Sequence, residues 1–282
     1  MLFPGNTDKI EGMKTFFKVD DLTLSDETFY LIAGPCVIED EGLTREIAVE
    51  ARNVARELGI PYIFKASFDK ANRSSLASPR GPGIEKGLPI LAAIKGKVGV
   101  PVLSDIHEPW QAEKAARVLS VIQIPAFLSR QTDLLLAAAR TGLPLNIKKS
   151  QMMSPADLAL AVSKLGEAGG RRVMLTERGT FFGYNNLVVD FRSIPLMKES
   201  GCPVVMDATH SVQRPGAAGG FSGGDPRFIP LMASAGIVAG ANGVFLEVHP
   251  RPEQALSDGL NSLPLAELRP LLIRLRKLYN VA

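Results

Sequence analysis

The chain has 282 residues, 46% hydrophobic and 22% charged, with a formal net charge of +3. That composition belongs to a soluble globular protein and excludes a disordered or collagen-like chain, and the length allows one large domain or two small ones. The charge is too weak to argue for nucleic acid, and two well-separated cysteines fit a reducing compartment better than a disulfide framework.

The opening residues, MLFPGNTDKIEGMK, lack the basic start and apolar core of a signal peptide. No apolar run approaches the roughly 18 residues of a membrane span. A cytoplasmic protein without a membrane partner is expected. Residues 15–24, TFFKVDDLTL, suggest a short hairpin. From residue 29 onward, β-rich apolar runs alternate with helical patterns. Strands are expected at 29–34, 62–67, 102–106, 121–126, 145–149, 173–178, 204–210 and 243–249. Helices are expected at 43–58, 84–97, 131–141, 155–168, 187–199 and 265–278. The fourth of these opens on Ser154 as N-cap and Pro155 at the first helical position.

Strict βα alternation predicts a parallel sheet. Eight such units over residues 29–282 predict a (β/α)8 TIM barrel, preceded by an N-terminal extension, 1–28, whose hairpin would cover the barrel's N-terminal mouth. No Gly-x-Gly-x-x-Gly follows the first strand, which argues against a dinucleotide fold. The stretch LRPLLIRLRKLY spaces its leucines and basic residues as a surface helix. The glycine- and alanine-rich residues 210–228 are expected to form a lid, and SPRGPGIEKG (78–87) is a shorter candidate.

The C-terminal strand ends of such a barrel form its active face. There the sequence supplies Cys36, Lys65, Lys70, Asn72, Arg73, Ser74, Asp105, His107, Gln123, Arg130, Asn146, Lys148, Lys149, Glu177, Arg178, Asp207, His210, Glu247, His249 and Asp258. A cation within an apolar run is costly unless paired, and converging Lys and Arg suit phosphate or carboxylate. Their number points to two anionic groups. Cys36, in FYLIAGPCVIED (29–40), can be a small buried filler, a nucleophile or a metal ligand. With His210, Glu247 and Asp258 it would form a thiolate, imidazole and carboxylate set suited to Zn, Fe(II), Mn or Co. The first, seventh and eighth strands meet when a barrel closes. A buried cysteine and a hydrogen-bonded histidine account for the same residues. Cys202, ahead of the seventh strand, reads as a semi-buried structural thiol.

KASFDKANRSS (65–75), DIHEPWQAE (105–113), QIPAFLSRQTDLL (123–135), NIKKSQ (146–151), ERGTFFGYNNLVVDFRS (177–193), DATHSVQ (207–213) and EVHPRPEQALSDG (247–259) together resemble the KDO-8-phosphate synthases. The resemblance runs from residue 29 to 278, and KANRSS separates it from the related heptulosonate 7-phosphate synthases. It implies a TIM barrel, usually a homotetramer. Its reaction would be condensation of phosphoenolpyruvate with D-arabinose 5-phosphate and water to 3-deoxy-D-manno-octulosonate 8-phosphate and phosphate, for lipopolysaccharide synthesis.

Carried onto this chain, the resemblance implies that Lys65, Lys70, Lys148 and Arg178 hold phosphoenolpyruvate, with Gln151 nearby. Asn72, Arg73 and Ser74 would bind arabinose 5-phosphate, completed by Arg130 of a neighbouring subunit, and Asp105 would bind a sugar hydroxyl. Lys65, Lys70, Asn72, Asp105 and His210 would form the catalytic set. One branch of the family has Asn in place of Cys36 and needs no metal. The other binds a divalent metal through Cys, His, Glu and Asp, and this chain has all four in Cys36, His210, Glu247 and Asp258. The chemistry needs no covalent enzyme intermediate, so the nucleophile reading of Cys36 drops out. In one departure, SLASPRG (75–81) stands where the family often has SIHSFRG, so Ala77 replaces a histidine. Two other classes keep the same cations: a Schiff-base aldolase using Lys148, and a non-catalytic sugar-phosphate-binding protein.

Overall fold

The computed structural model describes residues 10, 13–25, 27–73, 75–218 and 221–282. A hairpin of β1 (Phe16–Val19) and β2 (Leu22–Ser25) comes first. Next come β3 (Tyr30–Gly34), α1 (Glu41–Glu57), β4 (Tyr62–Lys65), α2 (Gly83–Val98), β5 (Val102–Asp105), α3 (Gln111–Ala116), β6 (Val121–Ile124), α4 (Thr132–Arg140), β7 (Leu145–Lys148) and α5 (Pro155–Glu167). Then follow β8 (Val173–Glu177), the short pair β9 (Thr180–Phe181) and β10 (Leu187–Val188), α6 (Ser193–Lys198), β11 (Val204–Asp207), β12 (Gln213–Ala218) and β13 (Phe221–Gly224). The chain ends with α7 (Ile229–Val238), β14 (Gly243–His249), β15 (Leu263–Pro264) and α8 (Leu268–Tyr279).

The strands β3, β4, β5, β6, β7, β8, β11 and β14 pair in parallel in that order, and β14 returns to β3. This is the expected closed (β/α)8 barrel, its helices outside. Side chains alternate along each strand. Outward residues such as Leu31, Phe64, Ile122, Ile147 and Leu246 join the cluster shared with the helices. Inward residues separate into two layers. The N-terminal layer is apolar: Tyr30, Ile32, Ile63, Leu103, Val121, Met174, Val205 and Phe245 form a second cluster, joined by Phe17, Val19 and Leu24 of the hairpin. The hairpin therefore packs onto the barrel's apolar interior, as a cover of the N-terminal mouth would. Two residues further along β4, β5, β6, β11 and β14, the inward positions hold Lys65, Asp105, Gln123, Asp207 and Glu247, and the end of β7 adds Lys148, all buried. Period two thus turns a core at one end of the barrel into a chemical site at the other.

Local chemistry sets the loops that carry the site. Asp40 caps α1, its carboxylate accepting from Leu43 N at 2.9 Å, so Cys36 lies in a short β3–α1 connection. Ser154 and Asp157 form a reciprocal capping box on α5 with Pro155 at its first position. Gly34 is required where β3 meets β4: a Cβ there would stand 2.0 Å from the Lys65 carbonyl oxygen.

Three expectations are corrected. The helix expected at 187–199 shrinks to α6, because the preceding residues turn through Gly183 and Asn185 at positive φ and Leu187–Val188 pairs with β9. The strand expected at 204–210 ends at Asp207, and His210 opens a 3-10 turn instead. Cys202 is fully buried in the main core, and burial raises its thiol to about 11. The glycine-rich 210–228 segment contains an antiparallel hairpin, β12–β13; its residues 219 and 220 lie outside the described ones. Half of the shorter glycine-rich stretch forms the first turns of α2. The basic C-terminal stretch is the surface helix α8, burying Leu268, Leu271, Leu272 and Leu275.

Candidate active site

A cavity of about 540 Å³ opens at the C-terminal end of the barrel. Its walls include Lys65, Lys70, Asn72, Arg73, Asp105, Lys148, Gln151, Arg178, His210 and Asp258. Cys36 and Glu247 lie buried below it. Expected site residues from β3, β4, β5, β7, β8, β11 and β14, or from the loops after them, therefore meet around one concavity. Ser74 lies outside the described residues. Arg130 is exposed and does not line the cavity of its own chain.

The cations are held by carboxylates at the floor. Lys65 Nζ is 3.0 Å from Glu247 Oε1 and donates to the Cys36 carbonyl at 2.7 Å; Lys70 Nζ is 3.9 Å from the same Glu247 oxygen. Lys148 pairs with Asp207 and stands 3.4 Å from the Phe245 ring centroid. Burial, only partly offset by Asp207, lowers the Lys148 ammonium from 10.5 to about 8. Burial would also lower Lys70, but Cys36, Glu247, Asp105 and Asp258 outweigh it and raise it. Arg178 donates to Gln213 Oε1 at 2.7 Å, and its Nη1 is buried without a hydrogen-bond partner among the described residues. Gln151 Oε1 is equally unpartnered. An unmet buried donor is rare, and Arg178 lines a cavity walled by cations, as an anion site requires; the Gln151 oxygen is an acceptor and does not itself meet an anion.

Asp105 lines the same cavity. Ser67 Oγ donates to its Oδ1 at 2.5 Å, and His107 Nε2 is 3.1 Å from its Oδ2. Burial pushes the carboxyl up, but His107, Lys70 and Lys65 outweigh that and hold it below the usual carboxylate range. Asp105 is therefore a charged acceptor at the cavity wall.

Cys36, Glu247 and Asp258 bring ligand atoms within 4.8 Å of one another. The Cys36 thiol donates to Asp258 Oδ2 at 3.1 Å and meets Ser257 Oγ at 2.8 Å. His210 does not belong to that close group, but its Nε2 is 3.5 Å from Glu247 Oε1 while its Nδ1 is 2.8 Å from Asp207 Oδ2. A carboxylate on the far ring nitrogen is a common arrangement for a ligating histidine. Glu247 Oε2 is buried with no hydrogen-bond partner among the described residues. Burial, followed by Asp258 and Glu247, pushes the Cys36 thiol well above its ordinary value. A divalent cation would satisfy the stranded oxygen and draw off the thiol proton, so the donor set fits one of borderline softness. Asp258 sits at φ 48°, a left-handed conformation that costs free energy unless its surroundings impose it.

Sequence reasoning passed over Gln213 and Ser257. Gln213 accepts from Arg178 and donates to Asp258 Oδ1 at 3.2 Å, bridging the cavity-lining guanidinium to the Cys36, Glu247 and Asp258 cluster. Its only sequence signal is its place at the end of DATHSVQ; no periodicity marks a residue that follows a 3-10 turn.

Residues 16–280 match the DAHP synthetase I family. The chain belongs to that family. Within the DAHP synthetase I family it is similar to proteins named 2-dehydro-3-deoxyphosphooctonate aldolase. The relative from Syntrophobacter fumaroxidans is 51% identical over 94% of this chain and 92% of its own length. That from Desulfotalea psychrophila is 55% identical over 92% of each chain. That from Koribacter versatilis is 52% identical over 93% of this chain and 95% of its own. These names correspond to the KDO-8-phosphate synthases, the resemblance drawn from the motifs.

Proposed function

We propose that this protein condenses phosphoenolpyruvate with D-arabinose 5-phosphate and water, giving 3-deoxy-D-manno-octulosonate 8-phosphate and inorganic phosphate in lipopolysaccharide synthesis. The carrying observation is the cavity into which Lys65, Lys70, Lys148 and Arg178 converge, with Arg178 Nη1 buried and unpartnered among the described residues. The relatives' shared name supports the octulosonate product over the heptulosonate one.

In this reading the four cations bind the phosphate and carboxylate of phosphoenolpyruvate, with Gln151 beside them. Asn72, Arg73 and Ser74 take the sugar phosphate, joined by Arg130 from a neighbouring subunit of a homotetramer. The exposure of Arg130 away from its own cavity supports a role at an interface. Asp105 accepts a hydrogen bond from a sugar hydroxyl and so turns the aldehyde toward the enol. C3 of phosphoenolpyruvate attacks the aldehyde carbon, leaving positive charge at C2. Water adds at C2, and the hemiketal phosphate expels inorganic phosphate by C–O cleavage. The protein's share is to hold two polyanions in reacting distance and to meet charge as it shifts. Cys36, His210, Glu247 and Asp258 would hold a divalent metal, which supplies Lewis acidity toward an oxygen or acidifies a water. Two free, buried cysteines support a cytoplasmic location. Among the described residues, no helix is long and apolar enough to cross a membrane.

A phosphate-release assay with phosphoenolpyruvate and either arabinose 5-phosphate or erythrose 4-phosphate, with and without chelator, tests the proposal. Release with the pentose and its loss on chelation are expected. Faster release with the tetrose would sink the sugar assignment. Inactivation by borohydride in the presence of substrates would turn the reading to a Schiff base on Lys148.

A further inference from the structure

The ends of β7 and β8 each carry one cavity-lining cation beside one buried charge that does not line the cavity. Lys148 and Arg178 line it, and Lys149 and Glu177 do not. Lys149 Nζ is 3.4 Å from Glu177 Oε1, and both side chains are 1% exposed. A buried ion pair is weak evidence for stability, because desolvation offsets its attraction. Its partners suggest a different role.

Lys149 Nζ donates to Thr180 Oγ1 at 3.0 Å, to the Met153 carbonyl at 3.2 Å and to the Ser150 carbonyl at 3.4 Å. Glu177 Oε1 accepts from Gly179 N at 2.6 Å, and its Oε2 accepts from Ser193 Oγ at 2.6 Å. The pair thus ties together the 150–153 turn after β7, the 179–180 turn after β8 and the start of α6. The two turns are joined again where Phe181 N donates to the Gln151 carbonyl at 2.9 Å, and Lys149 N donates to the Thr176 carbonyl at 2.8 Å. Lys148, Gln151 and Arg178, three walls of the anion site, are all carried on this braced piece of chain.

We infer that Lys149 and Glu177 are positioning residues for the phosphoenolpyruvate end of the site: their buried pair fixes the spacing of Lys148, Gln151 and Arg178. The inference rests on the proposed phosphoenolpyruvate site. An arginine and an amide can grip a small anion only at one separation, and a displacement of about 1 Å at such a site costs on the order of 100-fold. The sugar end of the cavity is built on the loop after β4 and on Asp105, outside the brace, so the two substrates respond differently when it is removed.

Lys149→Met removes the charge at similar length. Glu177→Gln removes the charge, keeps an acceptor for Gly179 N and sets an amide NH2 opposite Ser193 Oγ, which can turn to accept from it. KM for each substrate, phosphoenolpyruvate affinity by calorimetry and Tm are measured on the metal-loaded enzyme, with Arg178→Ala as reference. KM and Kd for phosphoenolpyruvate should rise at least tenfold in Lys149→Met and at least threefold in Glu177→Gln, with KM for arabinose 5-phosphate within twofold of the parent. A lower Tm with phosphoenolpyruvate constants within twofold of the parent overturns the inference, leaving the pair structural. If one variant does not fold, the constants of the other decide between the same two outcomes. Unchanged phosphoenolpyruvate affinity in Arg178→Ala overturns the site assignment itself, which is a separate failure.

Discussion

Cys36 Sγ and Asp258 Oδ2 lie 3.1 Å apart although 222 positions separate them in the chain. Barrel closure makes the contact. The register of β14 on β3 sets Glu247 opposite Gly34, two residues before Cys36, and the segment after β14 returns Asp258 over the same strand end.

That closure makes metal dependence testable at one residue. Cys36→Ala should lose bound metal and about 100-fold in activity, since it deletes the one thiolate among the four donors that would hold the cation. Cys36→Asn should retain part of its activity and be insensitive to chelator. Elemental analysis of the purified variants beside phosphate release checks both, and full activity of Cys36→Ala in chelator would remove the metal from the reading.

Lys148 predicts opposite pH trends for binding and folding. Its ammonium is charged below about 8 and neutral above. Phosphoenolpyruvate affinity should therefore fall by up to roughly tenfold per pH unit above 8. Binding near pH 8.5 should take up a proton, measurable by calorimetry in buffers of different ionisation enthalpy. For stability the sign reverses. The folded pKa lies below the ordinary 10.5, so between 8 and 10.5 the unfolded chain binds more protons and this group favours the fold increasingly as pH rises. Affinity independent of pH up to 9.5 would contradict the assignment.

Gln213 links Arg178 to Asp258. Gln213→Leu should therefore weaken both phosphoenolpyruvate and metal binding, whereas Arg178→Ala should cost phosphoenolpyruvate roughly 30-fold or more and leave metal affinity near the parent. Titrating Co(II) with and without phosphoenolpyruvate separates the cases: any mutual enhancement present in the parent should be lost in Gln213→Leu.

The N-terminal hairpin fills the apolar layer at the barrel end away from the cavity. Phe17→Ala or Leu24→Ala should destabilise by about 2–5 kcal/mol, the usual result of emptying a packed core position. KM values should stay within twofold, because both residues belong to the apolar layer and neither lines the cavity. Denaturant unfolding beside steady-state kinetics checks this; a large change in KM would show that the layers are mechanically coupled.

Much of the fold is legible in the order of residues. Runs such as YIFK and VLSD are short, apolar and separated by helical periodicity, which compels parallel pairing whatever the details. The strand-end positions of Lys65, Asp105, Lys148, Arg178 and Glu247 follow from the same pattern, because a barrel has one active face. Residues 187–199 mislead because an apolar run reads alike as helix or strand until the positive-φ turn at Asn185 is seen.

Period two fixes which strand residues face inward, and an inward charge at a strand end is visible as a letter in an apolar run; the sequence alone determined that much. Only the tertiary structure decided what each charge meets. The closing β3–β14 register brings Cys36, Glu247 and Asp258 together. The 3-10 turn after β11 points His210 at Glu247, and Gln213 then reaches both Arg178 and Asp258. These contacts join residues far apart in the chain, and their distances depend on strand register and loop conformation, which no local pattern encodes.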